Sequence, residues 1–503
     1  MRIGLFILIA VVCCFAREPR LGTEAEREAG KIVYMKKCAS CHGKKGDGKG
    51  NVFGFKPVPR DFTLSSYKLR STPSGELPTH EDLKGAVKKG MPYTGMLAWP
   101  DLSEEDLDNV VYFLKSYDET FSDPDYLVDP LPLPEAPPFS EESAKNGFEL
   151  YKKNKCFDCH GDIGRGNGPS APTTKDSYQK PLRPADLTKR WTFRNGPTRK
   201  EMYRSLLTGL DGTPMASYKD LMKPEEIWNV VDYVYSISNE LPNFTTLALA
   251  SAIDGDIDLS LGDSLFVNAE AANFPVFGQI MEPGREFFPG INAVEVKAVY
   301  DTASIAIMLT YHDMSMQING SNDPTAEVPL YTPDWVKPTD SISDAVAIQI
   351  PSKMPDGFIK PYFLFGDKKR SVDIWFADLA KKEADVYVGK GSKKLVKQEK
   401  SNVEVVSSYD DGVWKVIFKR PRRIEKGLPF EVEQFIPIAL SFWDGHEKNR
   451  GNYRCVTSWY NIYLKPAKEE SPFLPAAKTA IWVLVIELLI VFFVRRRSAK
   501  SPE

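Results

Sequence analysis

Before the extreme C-terminus the sequence has no lysine–arginine run long enough to follow a phosphate backbone, and its formal net charge is only −3. Both features exclude an electrostatic nucleic-acid binder. Cysteine is sparse as well, at seven in 503 residues. Cys13 and Cys14 belong to residues 1–16, where one cation at Arg2, an apolar run and the small-x-small end Cys14-Phe15-Ala16 read as a cleaved secretory signal, or else as an uncleaved anchor. Neither follows the leucine and small residue that a lipid-attachment cysteine requires. Cleavage after Ala16 leaves five cysteines, four of them in two C-x-x-C-H motifs. Only Cys455 is then left over, so no disulfide framework can form, and it is expected to be a buried or unreactive thiol.

With 42% hydrophobic and 26% charged residues, the chain is globular material for about three domains. Its organisation shows in an internal repeat. "CASCHGKKGDGKGN" begins at Cys38 and "CFDCHGDIGRGNGP" at Cys156, preceded by Gly30-x-x-x-Tyr34 and Gly147-x-x-x-Tyr151. "PRDFT" (59–63) then matches "PADLT" (184–188). Each copy closes on an amphipathic helix, "LSEEDLDNVVYFLKSY", started by Ser103 with Asp106, and "KPEEIWNVVDYVYSIS", started by Pro224. Two mostly helical domains are expected at 24–120 and 141–242. Between them, 121–140 is rich in proline and acidic residues and reads as a semi-rigid extended linker.

From about Asn243 the pattern changes to period two, in runs such as "AVEVKAVY", "SIAIMLTY", "SVDIWFADL" and "VWKVIFKRP". Tyr409-Asp410-Asp411-Gly412-Val413 is a hairpin signal between two of them. A mostly antiparallel β-sandwich is expected over 244–468. Phe473–Val494 is apolar except for Lys478 and Glu487, and has the roughly 20 residues a bilayer crossing needs. Arg495, Arg496 and Arg497 then place the tail, 495–503, in the cytoplasm. Signal and helix together describe a single-pass protein of the cytoplasmic membrane with its bulk in the periplasm or outside. Glu487 within the span points to a partner helix or a proton-linked site, or is a protonated carboxyl facing lipid.

C-x-x-C-H outside the cytoplasm is the attachment motif for c-type haem. Residues three apart on a helical turn share a face, so Cys38 and Cys41 can each form a thioether with a haem vinyl group while His42 reaches the iron. Cys156, Cys159 and His160 repeat the arrangement, and two covalent haems c follow. A redox dithiol or half a zinc site would not bring the same downstream pattern twice. Aligning "GMPYTGMLAW" with "GLDGTPMASY" sets Met96 on Met215, whereas Met91 falls on Leu210. Met96 and Met215 are therefore the candidate sixth ligands. Iron with both axial positions filled transfers electrons and has no place for a substrate.

On these motifs, residues 24–240 resemble two class I cytochrome c domains in tandem, a little under half the chain. Pro59 and Pro184 are candidate packing partners of the histidine side. The later region resembles the haem-binding γ subunit of ethylbenzene dehydrogenase and its relatives among periplasmic molybdenum enzymes of the dimethyl sulfoxide reductase family. Four stretches carry that likeness: "FPVFGQIMEPG" (274–284), "IKPYFLFGD" (359–367), "SVDIWFADL" (371–379) and "ALSFWDGHEKNRGNYRCVTSWYNIYL" (439–464). The resemblance implies one b-type haem held by a methionine, here Met281, and by a lysine where this chain has Arg454. A guanidinium has no lone pair for iron. Lys448 or His446 could substitute after a shift of register; otherwise the domain has lost its haem. His312, Met314 and Met316 are weaker candidates. The implied function is relay of electrons between a periplasmic molybdenum oxidoreductase and a cytochrome or quinone-linked partner, as a subunit that is not itself the enzyme. The rival is a haem enzyme, a peroxidase or nitrogen-oxide reductase, with an open iron.

Overall fold

The structure, a computed structural model, describes residues 21–498 except 53–54, 56, 127, 181, 288, 329–339 and 468–472. The expected signal at 1–16 and the last residues of the expected tail, 499–503, lie outside the described residues.

Four helices build the first repeat: α1 (Glu24–Lys37), α2 (Ala39–His42), α3 (His80–Lys89) and α4 (Glu104–Lys115). The second has α5 (Glu141–Lys153), α6 (Phe157–His160), α7 (Arg199–Thr208) and α8 (Pro224–Ile237). Helix starts follow cap chemistry: Thr23 with Glu26, Thr79 with Asp82 and Thr198 with Glu201 form reciprocal capping boxes, and Ser103 accepts from the Asp106 amide at 3.0 Å. In each repeat the first long helix packs on the last, and the glycine of the Gly-x-x-x-Tyr motif lies at the crossing. A Cβ on Gly30 would press into the Asn109 carbonyl and stand 2.9 Å from the Val110 nitrogen; one on Gly147 would press into the Asn229 carbonyl and stand 2.9 Å from Tyr233 Cβ. Only glycine lets the backbones approach this closely. Around the crossings, Tyr34, Leu107, Val110 and Val111 form one core, and Tyr151, Ile227, Val230 and Val231 the other.

The proline-rich segment is held at both ends. The Leu131 amide donates to Ser71 O at 2.8 Å, while Leu131 and Leu133 pack on the second core and Arg199 Nη1 donates to Pro137 O at 2.7 Å. Arg70 adds a direct clasp: its fully buried guanidinium meets Asp211 at 2.9 Å and Thr208 O at 2.8 Å. The segment therefore straps the two helical units together.

Fourteen strands follow among the described residues: β1 (Leu247–Ala252), β2 (Ala272–Pro275), β3 (Phe277–Gly278), β4 (Ala293–Tyr300), β5 (Ser304–His312), β6 (Ala345–Pro351), β7 (Val372–Asp378), β8 (Ala384–Gly389), β9 (Leu395–Lys397), β10 (Glu404–Asp410), β11 (Val413–Pro421), β12 (Phe435–Trp443), β13 (Cys455–Val456) and β14 (Tyr460–Leu464). Their main path is β10-β11-β5-β4-β1-β14-β12-β6-β7-β8-β9. β12 joins the two layers, because Phe435–Ile438 pair with β14 and Ala439–Trp443 pair with β6. A strand shared in this way lets the sheet fold over on itself. Ile307, Val416 and Phe418 of one layer then meet Val346, Ile348 and Trp375 of the other in one core. Pairings are antiparallel except that β1 runs parallel to both β14 and β4. Asp411 and Gly412 both have positive φ, 48° and 77°, so the β10–β11 connection is the two-residue turn that matches strand twist.

The last helix, α9 (Phe473–Ser498), contains a 20-residue stretch, Ala477–Arg496, apolar enough to cross a membrane and not buried against the other described residues. Multidomain architecture, two helical units followed by a β-sandwich and one terminal apolar helix, agrees with the reading of the sequence.

Candidate haem-attachment sites

Each C-x-x-C-H lies on one short helical turn entered directly from the first long helix. Tyr34, at the end of its motif, donates to Gly43 O at 2.7 Å, and Tyr151 donates to Gly161 O at 2.6 Å. These buried bonds pin the residue that follows each histidine. His42 Nδ1 then donates to Arg60 O at 3.2 Å and His160 Nδ1 to Ala185 O at 2.9 Å, since a carbonyl can only accept. Both acceptors are the residue after the repeated proline, Pro59 or Pro184. Burial pushes both imidazole pKa values down. Each ring is thus neutral with its proton on Nδ1, which leaves the Nε2 lone pair for a metal. Burial also pushes the Cys38 and Cys156 thiols up to about 11, the reverse of what a redox dithiol requires.

The two methionine loops share one hydrogen-bond pattern. Met91 N donates to Met96 O at 3.0 Å and Leu210 N to Met215 O at 2.9 Å. Thr94 and Thr213 each bridge their loop, accepting from the Met96 or Met215 amide at 3.1 Å and donating to the carbonyl of Met91 or Leu210. Gly90 and Gly209 enter these loops with φ of 64° and 68°, and a Cβ on either would strike the chain two residues beyond the methionine. These glycines and threonines are not among the candidate residues of the motifs themselves. The repeat alignment carried the signal, since Gly90 falls on Gly209 and Thr94 on Thr213.

A cavity of about 330 Å³ opens beside the second motif, lined by Cys156, Cys159, His160, Met215 and Leu206. Tyr93, from the first methionine loop, reaches it from one side, and His312, Asp313 and Met314 of the β domain from the other. Cations gather between the two repeats: Lys68 is pushed down to about 7 by burial, then by Arg194 and Arg60, against Asp176; Arg194 is pushed down to about 10 by burial and Arg60. Tyr67 Oη and Arg165 Nε are buried without a hydrogen-bond partner. Apolar walls, paired thiols, an imidazole facing a thioether, and buried cations and donors that call for carboxylates together match a haem with its two propionates.

The β domain offers less. Met281 is 62% exposed, although its segment lies on the expected neighbour: Gln279 N donates to Arg454 O at 3.0 Å. Arg454 is fully buried, its guanidinium 3.8 Å from the Phe365 ring centroid, with Nε and Nη2 unpartnered. Lys448 Nζ donates to Asp340 O at 2.6 Å, and His446 is half-buried in the same turn. The described residues thus supply one exposed thioether and, at the expected lysine position, a group with no lone pair, which does not fit a methionine–lysine haem site. His312 is held between Asp186 (3.6 Å) and Arg165 (2.7 Å), Met314 lines the second cavity, and Met316 is 46% exposed. Cys455 is buried, 1% exposed.

Two tandem units, each with a C-x-x-C-H turn and a threonine-bridged methionine loop, the second enclosing its histidine and methionine in one cavity, define a cytochrome. Residues 25–114 match the family described as cytochrome c oxidase, cbb3-type, subunit III, and residues 144–238 match cytochrome c. The chain therefore carries two cytochrome c-type domains. It is 24% identical over 150 residues, 29% of this chain and 53% of the other, to a Haloferax mediterranei protein named as a respiratory nitrate reductase heme subunit, ORF7. The chain thus spans about half the length of that curated relative. Among solved structures, a chain of the Kuenenia stuttgartiensis reducing HAO-like protein complex Kustc0457/Kustc0458 is 38% identical, covering 44% of this chain and 99% of that one, with a TM-score of 0.41. A family 9 carbohydrate-binding module from Caldicellulosiruptor kristjanssonii is 10% identical, covering 45% and 99%, with a TM-score of 0.25.

Proposed function

We propose that this chain is a membrane-anchored dihaem electron-transfer subunit, with haems on Cys38/Cys41 and Cys156/Cys159, axial pairs His42/Met96 and His160/Met215, and no catalytic iron. The observation that carries this reading is the repetition of both the Nδ1-to-carbonyl bond and the threonine-bridged methionine loop. When bound, each haem supplies a one-electron iron couple. The protein's residues do the rest: Arg60 O and Ala185 O orient the imidazoles, and the thioethers of Met96 and Met215 would be the second iron donors, which would favour the reduced metal. Lys68, Arg60 and Arg194 would neutralise the carboxylates of a bound haem. Tyr93, carried on the Met96 loop into the second cavity, sets the two sites side by side as successive steps of one relay.

The β domain serves in this proposal as a haem-free docking module for a periplasmic molybdenum oxidoreductase. Two things support it: the likeness of 274–464 to the ethylbenzene dehydrogenase γ subunit, and the name of the Haloferax relative. α9 anchors the chain in the cytoplasmic membrane with the bulk in the periplasm, facing a cytochrome or quinone-linked partner. A pyridine haemochrome assay on the full chain tests the cofactor count. Two c-type haems per chain are expected, and an additional b-type haem would overturn the haem-free docking module. Fast stoichiometric carbon monoxide binding to the reduced protein would instead establish an open iron and an enzyme. Purification from membranes without a molybdenum subunit would remove the docking part.

A further inference from the structure

Three carboxylates that the relay does not use meet at one end of the sandwich. Asp313 directly follows β5, Asp344 directly precedes β6 and Asp444 directly follows β12; all three are buried, and one oxygen of each lies within 4.8 Å of the others. The geometry points to a calcium site held by Asp313, Asp344 and Asp444, where the β domain meets the second cytochrome domain. Oxygens gathered this closely need only small side-chain adjustments to approach the roughly 2.3–2.6 Å ligand distance of one calcium ion.

Further observations call for a cation there. The Tyr311 hydroxyl, on a side chain only 2% exposed, has no hydrogen-bond partner although its charged neighbours are these three carboxylates. A buried phenol left unpaired beside three acids calls for a further partner among them. Asp313 Oδ2 is buried without a partner too, as is Asn292 Oδ1, which lines the adjoining cavity with Asp313. The remaining contacts position the set: Asp344 accepts from Gln317 N (2.7 Å), Gly445 N (2.8 Å) and Trp414 Nε1 (3.1 Å), and Asp444 accepts from Glu447 N and from Arg183 Nη2, both at 3.2 Å.

The charge balance agrees. Arg183 is the cation bonded to the cluster, and it is shared with Glu447 at 2.7 Å; buried Glu286 adds another acid nearby. The donors are all hard oxygens, because the His312 ring turns away to Asp186 and Arg165. That set selects calcium over thiophilic metals, and its dry setting disfavours magnesium, which keeps several waters.

The test uses the full-length holoprotein, desalted with and without EGTA. One calcium per chain by atomic emission is expected, with terbium luminescence sensitised through Trp414 and a melting temperature that rises with added calcium. Asp313→Asn, which removes charge from an oxygen that makes no hydrogen bond, should weaken calcium binding on the order of 100-fold. If that variant fails to fold, metal content and calcium response of the wild type decide alone. The site is refuted by a wild type that holds no calcium and melts identically with EGTA, or by tighter retention of magnesium. An Asp313→Asn protein that melts higher than wild type would show protonated acids instead and overturn it as well. Calcium removal should also lower the potential of the second haem. That consequence rests on the haem proposed at His160, whereas metal retention does not, so the two ideas fail separately.

Discussion

One substitution, glycine to alanine, should act with opposite sign at two helical positions, and the structure supplies the magnitudes. At Gly147 in α5, a Cβ would stand 2.5 Å from the Asn229 carbonyl carbon and closer still to its oxygen, with Tyr233 Cβ at 2.9 Å. α8 would have to retreat by about 1.5 Å to restore ordinary contact. Ser143, whose one hydroxyl proton lies between Asn229 Oδ1 at 2.7 Å and Asp232 Oδ2 at 2.6 Å, and the Tyr151–Tyr233 ring pair at 5.1 Å resist that movement. Overpacking of this kind costs about 1–3 kcal/mol, here at the upper end because backbone is struck, and the helix propensity of alanine returns about 1 kcal/mol. The net loss is about 2 kcal/mol, or about 8–16 °C for a domain of this size. At Gly85, in the middle of α3, a Cβ meets nothing within 4 Å. Gly85→Ala should therefore stabilise the first domain by about 1 kcal/mol. Thermal melts of the holoprotein, followed by circular dichroism and by the haem absorbance, compare the two. A Gly147→Ala protein as stable as wild type, or two shifts of the same sign, would refute the close-crossing argument.

Met96→Leu should abolish the thioether-to-iron charge-transfer absorbance of the first site, and Met91→Leu should leave it; the reverse result would reassign the ligand. Tyr151→Phe leaves the Gly161 carbonyl without its buried donor and should cost about 1–2 kcal/mol, read as a lower midpoint in guanidinium chloride. At Asp186, burial alone would raise the carboxyl, but the His312 and Thr188 hydrogen bonds and the charge of Lys189 outweigh it and hold the group at about 2. A depressed carboxyl stabilises the fold above its unfolded value near 3.8 and loses that contribution as pH falls through the folded value. Wild type should therefore exceed Asp186→Asn by about 2 kcal/mol at pH 6, with the gap closing between about pH 4 and pH 2. A gap independent of pH would place the effect in packing instead.

Where local pattern governs, the sequence by itself determined the outcome. The doubled C-x-x-C-H, the closing helices, the period-two strands and the Asp411-Gly412 turn follow from spacing and backbone preference within a few residues, and each forms as read. The choice of Met96 over Met91 was legible because two copies of one loop could be laid together, and the structure sets both methionines in the same threonine-bridged loop. Long-range placement decided the rest. Gly30 and Gly147 were visible as a motif, but their reason is a carbonyl on another helix. The proline-rich segment read as a spacer, and contacts from Ser71 and Arg199 make it a strap. Arg454 was visible as a departure from the resembling family; its burial between aromatic rings was not. Asp313, Asp344 and Asp444 are scattered over more than a hundred residues among many other acids. Only the folding of the sheet at β12 brings them together, because burial and mutual distance, which turn three ordinary carboxylates into a candidate ion site, are properties of packing that no local spacing encodes.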